Sequence, residues 1–226
     1  MLVDARIEIR GETLTLLHEC AVHWEAANSL LIADTHFGKA ATFRAAGIPV
    51  PHGTTLHGVR KLDALLARTQ PRRVFFLGDF LHARSGRSPV TLQHLADWRA
   101  QHNDVEMLLV RGNHDRHAGD PPKELRLECV DAPLKVPPFV LAHRPVAARE
   151  GYVIAGHLHP GAELAGGARQ RVRLPCFWFR EEQAVLPAFG DFTGLASISP
   201  DPAHRVFVVT GETVLEVSSE AALRYE

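Results

Sequence analysis

The chain is 226 residues long, with 46% hydrophobic and 23% charged residues, and 25 basic against 26 acidic side chains leave a net charge of -1. That length and apolar content exclude intrinsic disorder and any need for a disulfide staple, and they fit one domain over residues 1–226. The balanced charge excludes the strongly basic face of a tight duplex-DNA binder, and the longest apolar runs are far too short to span a bilayer.

Residues 1–10 alternate charged and apolar side chains with no apolar stretch behind them, so no secretory leader and no membrane association are expected. Residues 5–24 alternate in two runs, Arg6-Ile7-Glu8-Ile9 and Thr13-Leu14-Thr15-Leu16, with Gly11 between, which predicts a β-hairpin. Residues 29–33 read as a short buried strand ending at Asp34. Leu56, Val59, Leu62, Leu65 and Leu66 give residues 54–68 helical spacing. Residues 74–77 form a second buried strand, stopping at Gly78-Asp79, and residues 89–101 a second helix. Residues 105–110 form a strand stopping at Gly112-Asn113-His114-Asp115, residues 139–142 one stopping at His143, and residues 153–155 one stopping at Gly156-His157-Leu158-His159. The Gly-rich centre of residues 163–173 reads as a loop or hairpin turn, and later strands are expected at 172–179, 184–186, 205–209 and 213–217. Strand–helix alternation followed by a strand-rich half predicts an α/β sandwich, two packed sheets with helices outside.

Five apolar strands thus each end in a polar cluster, and in α/β folds ligands gather at the carboxyl ends of strands. In an extended segment, residues i and i+2 point the same way, so Asp34 can share an ion with His36, and His157 and His159 can face one site. Asp34, His36, Asp79, Asn113, His143, His157 and His159 are too many ligands for one ion and about right for two. Carboxylate, imidazole and amide oxygen suit manganese, iron or zinc. Cys20, Cys129 and Cys176 are far apart and odd in number, neither a disulfide framework nor a zinc pattern, and a reducing cytoplasm is the expected home.

In this order and spacing the clusters resemble the calcineurin-like metallophosphoesterases, whose pattern runs DxH, GD, GNH[DE], a lone His and GHxH. Ala142-His143 departs from the family's Gly-His there and keeps the ligand. Three further segments resemble a bacterial subfamily, the ligase-associated DNA damage response endonucleases. They are Ala33-Asp34-Thr35-His36-Phe37-Gly38-Lys39, Phe43-Arg44-Ala45-Ala46-Gly47-Ile48-Pro49-Val50-Pro51 and Leu174-Pro175-Cys176-Phe177-Trp178-Phe179.

The resemblance implies a four-layer αββα sandwich of two mixed β-sheets with flanking helices. It implies two divalent ions, Mn²⁺ first, with Fe²⁺ or Zn²⁺ as alternatives. Asp34, His36, Asp79 and His159 would hold one ion, and Asp79, Asn113, His143 and His157 the other, so that Asp79 bridges. A hydroxide shared by the ions would attack phosphorus in line, His114 would donate to the departing oxygen, and Asp115 would orient His114. The implied activity is endonucleolytic hydrolysis of single-stranded DNA in repair, in functional association with a DNA ligase, an exonuclease and a helicase.

Phe37, Lys39, Arg44 and Arg144 lie near motif ends and are candidate substrate contacts, the cations for phosphate and Phe37 for a base. The remaining histidines read as surface or hydrogen-bonded residues; His82, close behind Gly78-Asp79, has two readings, a cleft-lining one and a favoured passive one. Trp178, alternating with Phe177 and Phe179, reads as core on at least one face. Two rival functions use the same fold: a phosphoesterase of nucleotides or other small esters, and a non-catalytic metal-binding scaffold. The presence of His114 and of every ligand position argues against the scaffold.

Overall fold

The computed structural model describes residues 3–50, 53–165, 170–199 and 201–218. Strand β1 (Ala5–Ile9) turns through Arg10 and Gly11 into β2 (Glu12–Leu17), with Ile9 opposite Glu12. Both turn residues have positive φ, 54° and 79°, the geometry that a two-residue hairpin needs to match strand twist. The expected hairpin is therefore present, and a third antiparallel strand, β3 (Ala21–Trp24), extends it. From β3 the chain enters β4 (Ser29–Ile32), then α1 (Lys39–Ala45) and α2 (Thr54–Thr69). It continues through β5 (Arg73–Phe76), α3 (Pro89–Gln101) and β6 (Glu106–Val110) to α4 (Asn113–Ala118) and β7 (Glu128–Val130). These seven strands form one mixed sheet in chain order, antiparallel from β1 to β4 and parallel from β4 to β7.

The second sheet is built from β8 (Leu134–Val136), β9 (Phe139–Leu141), β10 (Tyr152–Ala155), β11 (Pro160–Ala165), β12 (Arg171–Phe179) and β13 (Gln183–Val185). It also takes in β14 (Ala196–Ser197), β15 (Arg205–Val209) and β16 (Val214–Val217). Its order is β14-β11-β12-β13-β10-β9-β8, with β15 and β16 branching from β12. Strand β10 is parallel to both neighbours, β9 and β13. β11 and β12 pair antiparallel with Ala165 opposite Arg171; the Gly-rich centre, residues 166–169, lies outside the described residues.

The alternating pattern of these strands divides the apolar residues by face. Leu31, Phe75, Phe139, Ile154, Phe177 and Phe207 meet between the sheets, where Trp24 and Phe139 pack edge to face with ring centres 4.9 Å apart. Leu30, Ile32, Val74 and Phe76 face the other way and receive Val59, Leu62 and Leu65 of α2 and Leu95 and Trp98 of α3. The spacing of α2 thus lands its apolar stripe on the first sheet, and α3 begins where Ser88 Oγ accepts from the Thr91 N–H at 3.2 Å. The result is the expected α/β fold of two mixed sheets with flanking helices. Both long helices lie against the first sheet, and the second sheet carries its own small apolar cluster of Ala162, Cys176, Ile198, Val206 and Val208 on the face turned away from the first. Among the described residues no helix is long and apolar enough to cross a membrane.

Candidate metal centre and active site

Strands β4, β5 and β6 are parallel neighbours in one sheet, and β9 and β10 are parallel neighbours in the other. Their carboxyl ends deliver Asp34 and His36, Asp79, Asn113, His143, and His157 and His159 to one place. Backbone hydrogen bonds stitch the loops together: Asp34 N–H donates to Gly78 O, His36 N–H to Asp79 O at 2.9 Å, and Gly156 N–H to His143 O at 2.9 Å.

The side chains fall into two clusters whose ligand atoms lie within 4.8 Å of one another, Asp34–His36–His159 and Asp79–His143–His157. In the first, His36 Nε2 is 3.4 Å from His159 Nε2, and His159 Nε2 is 3.6 Å from Asp34 Oδ1. In the second, His143 Nε2 is 3.4 Å from Asp79 Oδ2 and 2.9 Å from Asn113 Oδ1. Asp79 Oδ2 also lies 3.9 Å from His36 Nε2, so this carboxylate stands between the clusters. The i and i+2 pairs converge for a reason other than extended backbone. Asp34, His36, Asp79, His157 and His159 all have positive φ, between 44° and 69°, a left-handed conformation that costs on the order of 1–2 kcal/mol per residue. Strain of this kind is characteristic of functional loops.

Two motif glycines permit the close approach. A Cβ on Gly78 would sit 2.2 Å from His143 Nδ1, and one on Gly112 would sit 2.2 Å from Asp79 Oδ1 and 2.6 Å from its backbone nitrogen.

Asp34 is fully buried. Its Oδ2 accepts from His157 N–H at 2.7 Å, but Oδ1 has no hydrogen-bond partner among the described residues. A carboxylate oxygen left in that state is costly unless a cation meets it. Burial pushes the His36 imidazole down to about 2, with the neighbouring His159 adding to the effect, and burial pushes His157 and His82 down to about 4. Imidazole binds metal in its neutral form, so the donor set, the orphaned oxygen and the neutral rings all fit divalent cations. Burial also raises the Asp79 carboxyl.

The depressed imidazole pKa values make the stability of the fold depend on pH. Their contribution to stability is complete above the ordinary histidine value near 6.5 and is lost as pH falls toward 4, and toward 2 for His36. In metal-free protein, imidazole resonances of His82 and His157 should therefore titrate near pH 4, and that of His36 should not move before acid unfolding. An NMR titration of His36 with a midpoint at the ordinary histidine value would contradict this burial argument.

His114 and Asp115 open α4. The His114 N–H donates to Asp79 Oδ1 at 2.9 Å, its Nδ1 lies 2.6 Å from His82 O, and its Nε2 is 3.9 Å from Asp79 Oδ2. The ring is thus oriented by a backbone carbonyl, with Nε2 aimed at the centre. Asp115 does not perform the orientation that the resemblance implies for it. Its buried carboxylate accepts from the backbone N–H groups of Asp79 at 2.7 Å, Phe80 at 2.9 Å, Leu81 at 3.3 Å and Gly112 at 2.8 Å. Asp115 is therefore a positioning residue that ties the Asp79 loop to the start of α4.

Of the two readings the sequence allows for His82, the fold favours the cleft-lining one over the passive one. Its Nδ1 is 3.2 Å from His36 Nδ1, and its ring stacks on His114 with centres 4.8 Å apart. A histidine shortly past the Gly78-Asp79 block has no motif of its own. Only the run of the Phe80–His82 segment along Phe37, through His82 N–H to Phe37 O at 3.0 Å, brings it in.

Of the candidate substrate contacts, Arg144 Nη2 donates to Asn113 Oδ1 at 3.2 Å and stands at the rim of the second cluster. Lys39 is half-buried and lines a cleft beside His36, and Arg44 lies in the last turn of the same helix. Phe37 is only 3% exposed and packs on Phe80 with ring centres 5.2 Å apart, so it offers no free stacking face. Trp178 lies on the outer face of the second sheet and donates to His204 Nδ1, while Phe177 and Phe179 lie between the sheets.

The calcineurin-like phosphoesterase model matches residues 28–172, a span that holds every residue of both clusters. The crystal structure of Pseudomonas putida nuclease MPE superimposes with a TM-score of 0.83 at 42% identity, over 95% of this chain and 100% of that one. Yfce, a phosphoesterase from E. coli, is 14% identical with a TM-score of 0.40, over 84% of this chain and 98% of that one. None of the curated proteins matches the chain. With its two ligand clusters at converging strand ends, the chain belongs to the calcineurin-like phosphoesterase family, metal-dependent hydrolases that use two divalent ions.

Proposed function

We propose that this protein is a manganese-dependent endonuclease that cuts single-stranded DNA in a repair pathway, acting as one domain in the cytoplasm. The observation that carries the reading is the likeness to a nuclease over 95% of the chain at 42% identity. Functional association with a DNA ligase, an exonuclease and a helicase belongs to the same reading.

Asp34, His36, Asp79 and His159 would hold one ion, and Asp79, Asn113, His143 and His157 the other. When bound, the ions lower the pKa of water, orient the phosphodiester and neutralise charge on its oxygens. The protein's own residues do the rest. Asp79, between the clusters, fixes their separation. His114 Nε2, with Nδ1 held by the His82 carbonyl, is placed to stabilise the phosphoryl oxygens and to give a proton to the departing oxygen. Arg144, already oriented by Asn113, holds a neighbouring phosphate with a charge-assisted hydrogen bond. A near-neutral net charge suits local contact with a flexible strand rather than tight duplex binding.

Covalently closed single-stranded DNA, which has no ends, tests the reading in manganese with a His114→Ala sample beside the parent. The expected result is linearisation by the parent and a loss of about 100-fold or more in the variant, the usual weight of a general acid. An intact circle with a chromogenic phosphodiester still hydrolysed would reject the DNA substrate and leave a small phosphate ester in its place.

A further inference from the structure

Beside His36 the fold leaves an open-sided cleft between α1, the start of α2 and the segment after Phe189, lined by Phe37, Lys39, Phe43, Asp191 and Phe192. Building on the single-strand nuclease reading, we infer that the unpaired base of a nucleotide flanking the cleaved phosphodiester lies over the mouth of this cleft, stacked on the exposed ring of Phe192.

Phe192 is 59% exposed, the only aromatic among the exposed large apolar side chains of the described residues. It also sits in a left-handed conformation, φ 57°, which a bulky side chain adopts only where its surroundings impose it. The residues just before it are tied to the loop that carries Asp34. Phe189 N–H donates to Ala33 O at 2.8 Å and Gly190 N–H to Asp34 O at 3.0 Å. Lys61 Nζ donates to Phe189 O at 2.9 Å, and His57 Nδ1 lies 2.6 Å from Asp191 Oδ2. Residues 189–191 are thus tied to the loop carrying Asp34 and to α2, which sets Phe192, next in the chain, at the mouth of the cleft. Across the cleft, Phe43 is half-buried, with its ring 6.0 Å from that of His82 and Lys39 Nζ 5.8 Å from its centre.

Flat aromatic faces with one cation, next to a phosphodiester-cleaving centre, match a nucleobase joined to a phosphate. Stacking of this kind tolerates any base, because every base has a π-face. It also excludes duplex, whose bases are already covered by their neighbours, and so supplies a physical reason for preferring an unpaired strand.

The test uses oligonucleotides with a single phosphodiester among methylphosphonate linkages, so that the cleaved bond is fixed, and with an abasic residue placed on either side of it. In manganese, removing the base on one side is expected to lower kcat/KM of the parent about ten-fold, mainly through KM, as loss of one base–aromatic stack does. Phe192→Ala should show the lower value with the full oligonucleotide and no further loss with the abasic one, and Phe192→Trp should restore the difference. Because Phe192 is exposed, circular dichroism of the variants should match the parent. A parent indifferent to the missing base, or a Phe192→Ala protein that still distinguishes the two, overturns the base site alone. Failure of the parent to cut an unmodified single strand as well, with a small diester still hydrolysed, overturns the nuclease reading and the base site with it.

Discussion

Asp34→Asn is expected to lower phosphodiesterase turnover about a thousand-fold or more while making the metal-free protein more stable than its parent. The two effects have opposite signs because one oxygen serves each state differently. Asp34 is wholly buried, its Oδ2 takes the His157 N–H, and its Oδ1 has no hydrogen-bond partner among the described residues. Asparagine can keep an acceptor for His157 and removes a buried charge that has no cation to meet it. With metal present, the same change deletes a ligand whose charge stabilisation is worth several kcal/mol. About 4 kcal/mol corresponds to a thousand-fold in rate. Thermal unfolding in chelator and in manganese gives the readout. In chelator the variant should melt above the parent, and in manganese below it, because the parent gains about 2.7 kcal/mol at a metal concentration of about 100 Kd and the variant gains little. A variant that melts below the parent in both conditions would show that Oδ1 is not a cation's seat.

Removing Asp115 should be the most damaging single change to stability near the centre. Asp115→Ala would leave four N–H groups without their acceptor, those of Asp79, Phe80, Leu81 and Gly112. Each buried orphan costs about 1–3 kcal/mol, and with partial rescue by water a loss of about 4 kcal/mol is expected. That is a large share of the roughly 5–15 kcal/mol typical of a folded domain. Asp115→Asn restores one acceptor and should recover part of the loss. Since Asp115 acts through the backbone of the loops carrying Asp79 and Asn113, the asparagine variant should bind manganese about 10–100-fold more weakly. Its pH profile should keep the parent's shape, because the His114 ring is held by the His82 carbonyl and not by Asp115. Parent-like urea unfolding of Asp115→Ala would reject this role.

Much of the site was legible in the chain because parallel strands buried on both faces read as short apolar runs, and their ends are where the polar residues begin. Asp34, Asp79, Asn113, His143, His157 and His159 all stand just past such runs, and the structure gathers them. The helices α2 and α3 were legible for a related reason, since each repeats its buried residues at helical spacing. Helices α1 and α4 are too short to show a period, and β3 follows β2 so closely that the pair read as one arm of a hairpin. Which sheet α2 and α3 cover is a matter of packing, and their apolar stripes alone do not specify it.

His82, Asp115 and Phe192 mark where local reading stopped. A histidine just beyond a motif, an acid inside one and a phenylalanine far downstream carry no signal of their own. Their roles depend on which backbone groups the folded chain brings beside them. The order and chemistry of the candidate ligand blocks, and hence the family and the two clusters of candidate metal ligands, were determined by the sequence itself, because strand length and side-chain type are local properties. Tertiary structure alone decided that Asp115 holds loops rather than a ring, that His82 joins the centre, and that Phe192 stands over a cleft beside it. The contacts behind the first two, such as His114 with His82 and Asp115 with Asp79, join residues 32 or more positions apart, and only the packing of the folded chain fixes distances on that scale.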